Sequence, residues 1–150
     1  MIKNIFSFLL MLLLLISPTF ADNISCDKSD FIEVSQAIND AVYDIRYYSD
    51  YNFTGHQIDG YKAPRAYMTK KSAEALKIAV NDLRKQGYRI LIWDTYRPQK
   101  AVDNFVRWIN NPKMVGNKDF YPKLKKSDLV KGGYIATKSS HSRGSTIDLT

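Results

Sequence analysis

Two side chains near the end of the 150-residue sequence have the types and spacing for metal chemistry. His141 and Asp148 stand seven positions apart in Ser139-Ser140-His141-Ser142-Arg143-Gly144-Ser145-Thr146-Ile147-Asp148-Leu149-Thr150. Neutral imidazole and carboxylate are ordinary zinc ligands, and a catalytic zinc takes three protein ligands and keeps one position for water. Small residues flank both side chains and leave room for an ion, although a His-x6-Asp spacing also suits a purely structural histidine. Arg97 is the second candidate. It follows the apolar run Tyr88–Trp93 and precedes Pro98, and its five-donor fork suits a developing oxyanion or a carboxylate. It equally suits an ion pair with Asp94 that fixes the turn, and the two roles are compatible if Asp94 orients Arg97. Tyr47, Tyr48, Phe53 and Tyr61 could wall a small pocket or serve as core and rim packing. His56 reads as a surface residue. A serine nucleophile finds no support, because Gly-x-Ser-x-Gly is absent. Cys26 is the single cysteine, which excludes an internal disulfide and a cysteine zinc site, so any metal must be held by His, Asp or Glu.

These residues need elements to position them. Alternation in Thr146-Ile147-Asp148-Leu149 predicts a strand after Gly144, with His141 on the loop that enters it. Val42–Tyr48 alternates and is rich in β-formers, which predicts another strand. Residues 31–41 read as irregular with one helical turn, and 49–66 as a long aromatic-rich loop. Met68–Gln86 reads as a helix capped by Thr69 or Ser72, with Leu76, Ala79, Val80 and Leu83 on its apolar face. Gly87 stands where a left-handed residue ends a helix. Tyr88–Trp93 then reads as a buried strand, and Pro98 opens a second helix with Val102, Phe105, Val106 and Ile109 inward. Residues 111–128 read as a polar connection. Together these elements predict an α+β domain, with a small mixed or antiparallel sheet and two main helices packed on it.

The N-terminus reads differently. A charged start, the apolar run Ile5–Ile16 and small residues at Thr19 and Ala21 predict a signal peptide over residues 1–21. The run is shorter than the roughly 17–25 residues of a membrane span, so no stable span is expected after cleavage, and the remainder is expected to be exported, to the periplasm. Removing residues 1–21 takes away one lysine and leaves 21 basic against 15 acidic residues, a net charge of +6. The lysines are scattered and no nucleic-acid motif occurs, so a nucleic-acid partner is not expected.

Taken together, Asp44-Ile45-Arg46-Tyr47, Asn52-Phe53-Thr54-Gly55, Asp59-Gly60-Tyr61, Trp93-Asp94-Thr95-Tyr96-Arg97-Pro98-Gln99-Lys100-Ala101-Val102 and the terminal motif resemble the D-alanyl-D-alanine dipeptidases, a family of zinc metallopeptidases. The resemblance runs from about Asp44 to Thr150. It implies that His141 and Asp148 bind Zn2+, that Arg97 stabilises the transition state, and that Tyr61, Tyr134 and Ser139 line a pocket for the D-Ala-D-Ala dipeptide. The family also carries a later Glu-x-x-His segment that supplies the general base and the third zinc ligand, and the sequence ends before one. Residues 22–150 therefore read as the N-terminal and central part of a catalytic domain whose C-terminal part is missing. Two alternatives stand beside zinc-dependent hydrolysis in cell-wall metabolism: an inactive shortened product, and a non-catalytic module that binds wall peptides. Nothing in the sequence addresses oligomeric state.

Overall fold

The computed structural model describes residues 30–150; the expected signal peptide and Cys26 lie outside the described residues. Among these, no helix is long and apolar enough to cross a membrane. The chain opens with strand β1 (Phe31–Glu33) and a single helical turn, α1 (Val34–Ala37). The turn was expected at 31–41; the strand was not, because three residues are too few to show a period. β1 pairs antiparallel with β3 (Tyr67–Thr69). The strand expected over Val42–Tyr48 lasts only two residues, as β2 (Val42–Tyr43). Asp44 N still donates to Ile92 O at 2.9 Å, but Tyr48 N then donates back to Ile45 O at 3.1 Å and the chain closes into a 3₁₀ turn over Arg46–Tyr48.

Helix α2 (Lys70–Lys85) begins where Thr69 Oγ1 accepts from Ser72 N at 3.3 Å, satisfying one of the amide donors left over at a helix start. Its inward face is Ala73, Leu76, Val80 and Leu83, so the expected stripe is displaced at one position: Ala79 is exposed. Gly87 ends the helix at φ +84, a conformation that side chains with a Cβ adopt reluctantly. α2 lies against α1, β1 and β3. The following strand, β4 (Leu91–Asp94), starts later than expected. Tyr88 is exposed because pairing begins only where β2 runs parallel to β4, with Val42 opposite Leu91.

Pro98 caps helix α3 (Gln99–Asn110), which buries Ala101, Val102, Phe105 and Trp108. Trp108, fully buried, anchors an aromatic core in which Phe53 meets both Phe105 (4.9 Å) and Trp108 (5.3 Å), and Tyr47 meets Phe105 and Tyr61. Truncating a tryptophan so placed costs about 3–5 kcal/mol. The loop over 49–66 is held by Asn52, whose Nδ2 donates to Ser49 O and His56 O at 2.7 Å and whose Oδ1 accepts from Thr54 N and Oγ1. After a short α4 (Asp128–Lys131) the chain returns as β5 (Asp148–Leu149), antiparallel to β4. The architecture is α+β, with one two-stranded antiparallel sheet and one three-stranded mixed sheet in the order β2-β4-β5.

Candidate metal centre

The site is built on β4. Its residues alternate inward and outward, so Ile92 and Asp94 face the interior. Asp94 is 1% exposed, and a carboxylate that deep needs donors around it. It has three: Tyr61 Oη donates to Oδ1 at 2.8 Å, and Arg97 Nε and Nη2 both donate to Oδ2, at 2.9 and 2.7 Å. Burial pushes its pKa up against the pull of Arg97, Tyr61 and His141, but the geometry satisfies only the deprotonated form. Burial alone would also lower the pKa of Arg97; Tyr47, Asp94 and Tyr61 outweigh it and hold the guanidinium above the ordinary arginine range. Its guanidinium carbon lies 5.0 and 5.4 Å from the ring centroids of Tyr47 and Phe105, so the arginine is held by the rings as well as by Asp94.

The terminal motif then docks against this frame. Ser140–Arg143 forms a 3₁₀ turn rather than the expected open loop, capped by Ser139, whose Oγ accepts from His141 N at 3.3 Å. Gly144 closes the turn at φ +74 with the Phe31 ring where a Cβ would stand, so the conformation demands glycine and the neighbouring ring adds to that demand. Main-chain bonds from Arg97 N to His141 O and from Thr69 N to Gly144 O hold the turn in place. His141 is buried, and its Nδ1 lies 2.8 Å from Thr95 O. A carbonyl only accepts, so Nδ1 carries the proton and the neutral ring directs the lone pair of Nε2 the other way.

Asp148 is found on that other side. A regular antiparallel register would set Ile147 opposite Asp94. The pairing instead runs Ile92 to Leu149 and Asp94 to Asp148, with one extra residue, Trp93, on β4. Bulges of this kind re-aim side chains beside functional sites, and this one brings two carboxylates to neighbouring strands. Asp148 Oδ1 lies 3.4 Å from His141 Nε2, and its Oδ2 lies 3.5 Å from Arg97 Nη2. When the ring also takes a proton on Nε2, that nitrogen donates to the half-exposed Asp148 and holds its carboxyl below the usual carboxylate range. Burial would lower the His141 pKa, but Asp148 and the Thr95 carbonyl outweigh it and raise it.

Ligand bonds of about 2.1 Å at a tetrahedral angle put two donor atoms roughly 3.4 Å apart. The His141–Asp148 separation therefore fits two ligands of one small ion. Asp94 completes a cluster whose possible ligand atoms all lie within 4.8 Å of one another. Its Oδ2, however, approaches Nδ1, at 3.6 Å, and is already shared by two Arg97 donors. Asp94 is accordingly an anchor for Arg97 and the histidine, and the open donors are His141 Nε2 and Asp148.

Of the remaining candidates, Tyr61 is buried and spends its hydroxyl on Asp94. Tyr134, 71% exposed, and Ser139 share the wall of a cavity of about 200 Å³ that Arg97 also lines. His56 is exposed, as expected, and stands outside the cluster. The Thr95 carbonyl that fixes the histidine tautomer was invisible in the sequence, since a backbone acceptor leaves no residue signature.

A family model described as D-ala-D-ala dipeptidase matches residues 27–150. A D-alanyl-D-alanine dipeptidase of Enterococcus faecalis is 41% identical over 124 residues, covering 82% of this chain and 61% of that protein. One from Streptomyces coelicolor is 40% identical over 122 residues, covering 81% and 60%. One from Escherichia coli is 27% identical over 124 residues, covering 83% and 54%. The chain spans about 60% of the length of the first of these relatives.

Proposed function

The chain belongs to the D-alanyl-D-alanine dipeptidase family, and on that premise we propose that it serves zinc-dependent hydrolysis of the D-Ala-D-Ala dipeptide in cell-wall metabolism. The observation that carries this reading is the 3.4 Å approach of His141 Nε2 to Asp148 Oδ1 beside the buried Arg97. His141 and Asp148 hold the ion. When bound, zinc supplies Lewis-acid chemistry and lowers the pKa of water.

The chain's own residues do the rest of what this site offers. Thr95 O keeps the proton on Nδ1, so His141 meets the ion as a neutral ligand of fixed orientation. Asp94 and the aromatic rings beneath it hold the Arg97 guanidinium rigid, so it can meet the charge that develops on a scissile carbonyl oxygen without reorganising. Tyr134 and Ser139 line the substrate side, and Tyr61 acts from behind Asp94. The glutamate base and third histidine ligand that the family resemblance implies have no counterpart beside this cluster among the described residues. The pattern of residues 1–21 supports export to the periplasm, where recycling of wall-derived dipeptide would be the purpose.

Release of D-alanine from D-Ala-D-Ala, measured with added zinc and after chelation, tests the proposal. Turnover is expected with zinc, and its loss in both Arg97→Ala and His141→Ala. Saturable dipeptide binding that survives chelation, with no turnover, would replace the enzyme with a binding module.

A further inference from the structure

Arg46 is a second arginine at this site, and the chemistry above does not use it. It opens the 3₁₀ turn after β2, immediately before Tyr47. Its guanidinium carbon stands over the Trp93 ring, 4.0 Å from the centroid, and 4.9 Å from the Tyr51 centroid, so aromatic contacts hold it in place. Its side chain is 20% exposed. For five N–H donors it has one acidic partner among the described residues, Asp44 Oδ2 at 3.2 Å, and that carboxylate is half-exposed. Arg97, the other arginine described at the site, is anchored differently, with Nε and Nη2 both donating to Asp94.

The position of Arg46 gives the spare donors a use. Arg46, Trp93 and Phe120 line a cavity of about 310 Å³ whose wall also includes Asp148. A cavity of this size sits at the lower end of small-molecule sites, and two extended residues span about 7 Å. A rigid planar fork with unpaired donors recognises a carboxylate by two parallel hydrogen bonds and repels an ammonium group. We infer that Arg46 binds the free C-terminal carboxylate of the substrate and so sets which way round the dipeptide lies across the His141–Asp148 pair. The inference deepens the dipeptidase reading and rests on it for the identity of the ligand. It makes Arg46 a specificity-determining residue, because a peptide whose carboxyl is blocked or continued loses this contact.

Trp93 gives the measurement. Only two tryptophans are present and the other, Trp108, is fully buried in the core, so a carboxylate arriving at Arg46 is read as a change in Trp93 fluorescence. Metal-free protein is titrated with acetate, D-Ala-D-Ala and the dipeptide's C-terminal carboxamide; zinc-loaded protein is assayed for hydrolysis in parallel. Wild type is expected to bind the free dipeptide at least about tenfold more tightly than the carboxamide, the worth of a charge-assisted hydrogen bond. Arg46→Gln should reduce that preference to within about twofold and remove the acetate response, and Arg46→Lys should restore part of it. Thermal melting of both variants checks folding, and the wild-type ratio carries the test where a variant fails to fold. An undiminished free-acid preference in Arg46→Gln, or no carboxylate response in wild type, overturns the inference. Acetate binding that depends on Arg46, with no hydrolysis of D-Ala-D-Ala, upholds Arg46 as a carboxylate site and sinks the dipeptidase reading instead.

Discussion

The two halves of the site are held in opposite ways. Asp94 ends β4 and Arg97 lies three residues further on, in the turn before α3. Both side chains are largely buried, Asp94 bonded to Arg97 and Tyr61, and Arg97 packed on the rings beneath. His141 and Asp148 sit on a 3₁₀ turn and a two-residue strand, and their mutual contact is a single 3.4 Å approach with Asp148 half-exposed. The first half is anchored within the protein: Arg97 Nε and Nη2 and the Tyr61 hydroxyl all donate to Asp94. The second has coordination capacity left over, in Nε2 and in a carboxylate facing solvent. The lesson is a division of labour, in which the charge meant to act in a transition state is immobilised by folding and the ligands keep their lone pairs for an ion.

Breaking each half should therefore fail in a different currency. Asp94→Ala leaves Arg97 buried with only Asp148, 3.5 Å from one nitrogen, as a counter-charge. Removing one partner of a buried pair costs about 3 kcal/mol, and urea denaturation of the metal-free protein should show it. His141→Ala removes a ligand but no buried charge pair. It should lower zinc affinity by more than the roughly 100-fold seen when supporting residues around a metal are lost, while its urea midpoint shifts less than that of Asp94→Ala. Equal stability losses in the two variants would erase the contrast.

The sequence made the two halves legible to different degrees. Arg97 and Asp94 were visible as a pair because they are close in the chain and sit between an apolar run and a proline. His141 and Asp148 were no more than a weak spacing until the neighbouring motifs were considered with them. Their meeting depends on a bulge at Trp93 and on the Thr95 carbonyl, and neither writes itself into residue types. Long elements were read best: α2 and α3 declared themselves by period and cap. The short strands did not, since β2 and β5 exist only where β4 offers them an edge, which is a tertiary fact. Ala79 was misplaced for a related reason, because alanine is small enough to complete an apolar stripe on paper and still face solvent.

A pH titration sharpens the contrast from the buried side. Burial pushes the Tyr47 hydroxyl from 10.0 up to about 12, with Asp94 and Asp148 adding to it against Arg97. A folded pKa above the unfolded one means stability is fully present below about pH 10 and is lost as pH climbs through about 12. Denaturation midpoints should fall across that window, and Tyr47→Phe should flatten the fall. Tyr43, also raised to about 12 by burial, and Tyr61 and Tyr121, raised by burial as well, leave a residual slope that Tyr43→Phe reduces further. An unchanged slope in Tyr47→Phe would mean that the ring beneath Arg97 is wetter than its packing implies.

The smallest effect tests whether the buried half is one unit. Tyr61 was expected to line the substrate pocket, yet its hydroxyl donates to Asp94 from a buried position. Tyr61→Phe keeps the ring and its contact with Tyr47 and deletes one of three donors on Asp94. The net loss should be about 1.5 kcal/mol, the lower end for a hydrogen bond to a charged group, because Arg97 still satisfies the other oxygen. If Tyr61 acts only through Asp94, Tyr61→Phe and Asp94→Ala are not additive. The double variant should be scarcely less stable than Asp94→Ala, a coupling that a double-mutant cycle measures directly. Zinc affinity should stay within about twofold of wild type, since neither ligand touches the phenol. Full additivity would move Tyr61 out of the Asp94–Arg97 unit and return it to the pocket wall as an independent contact.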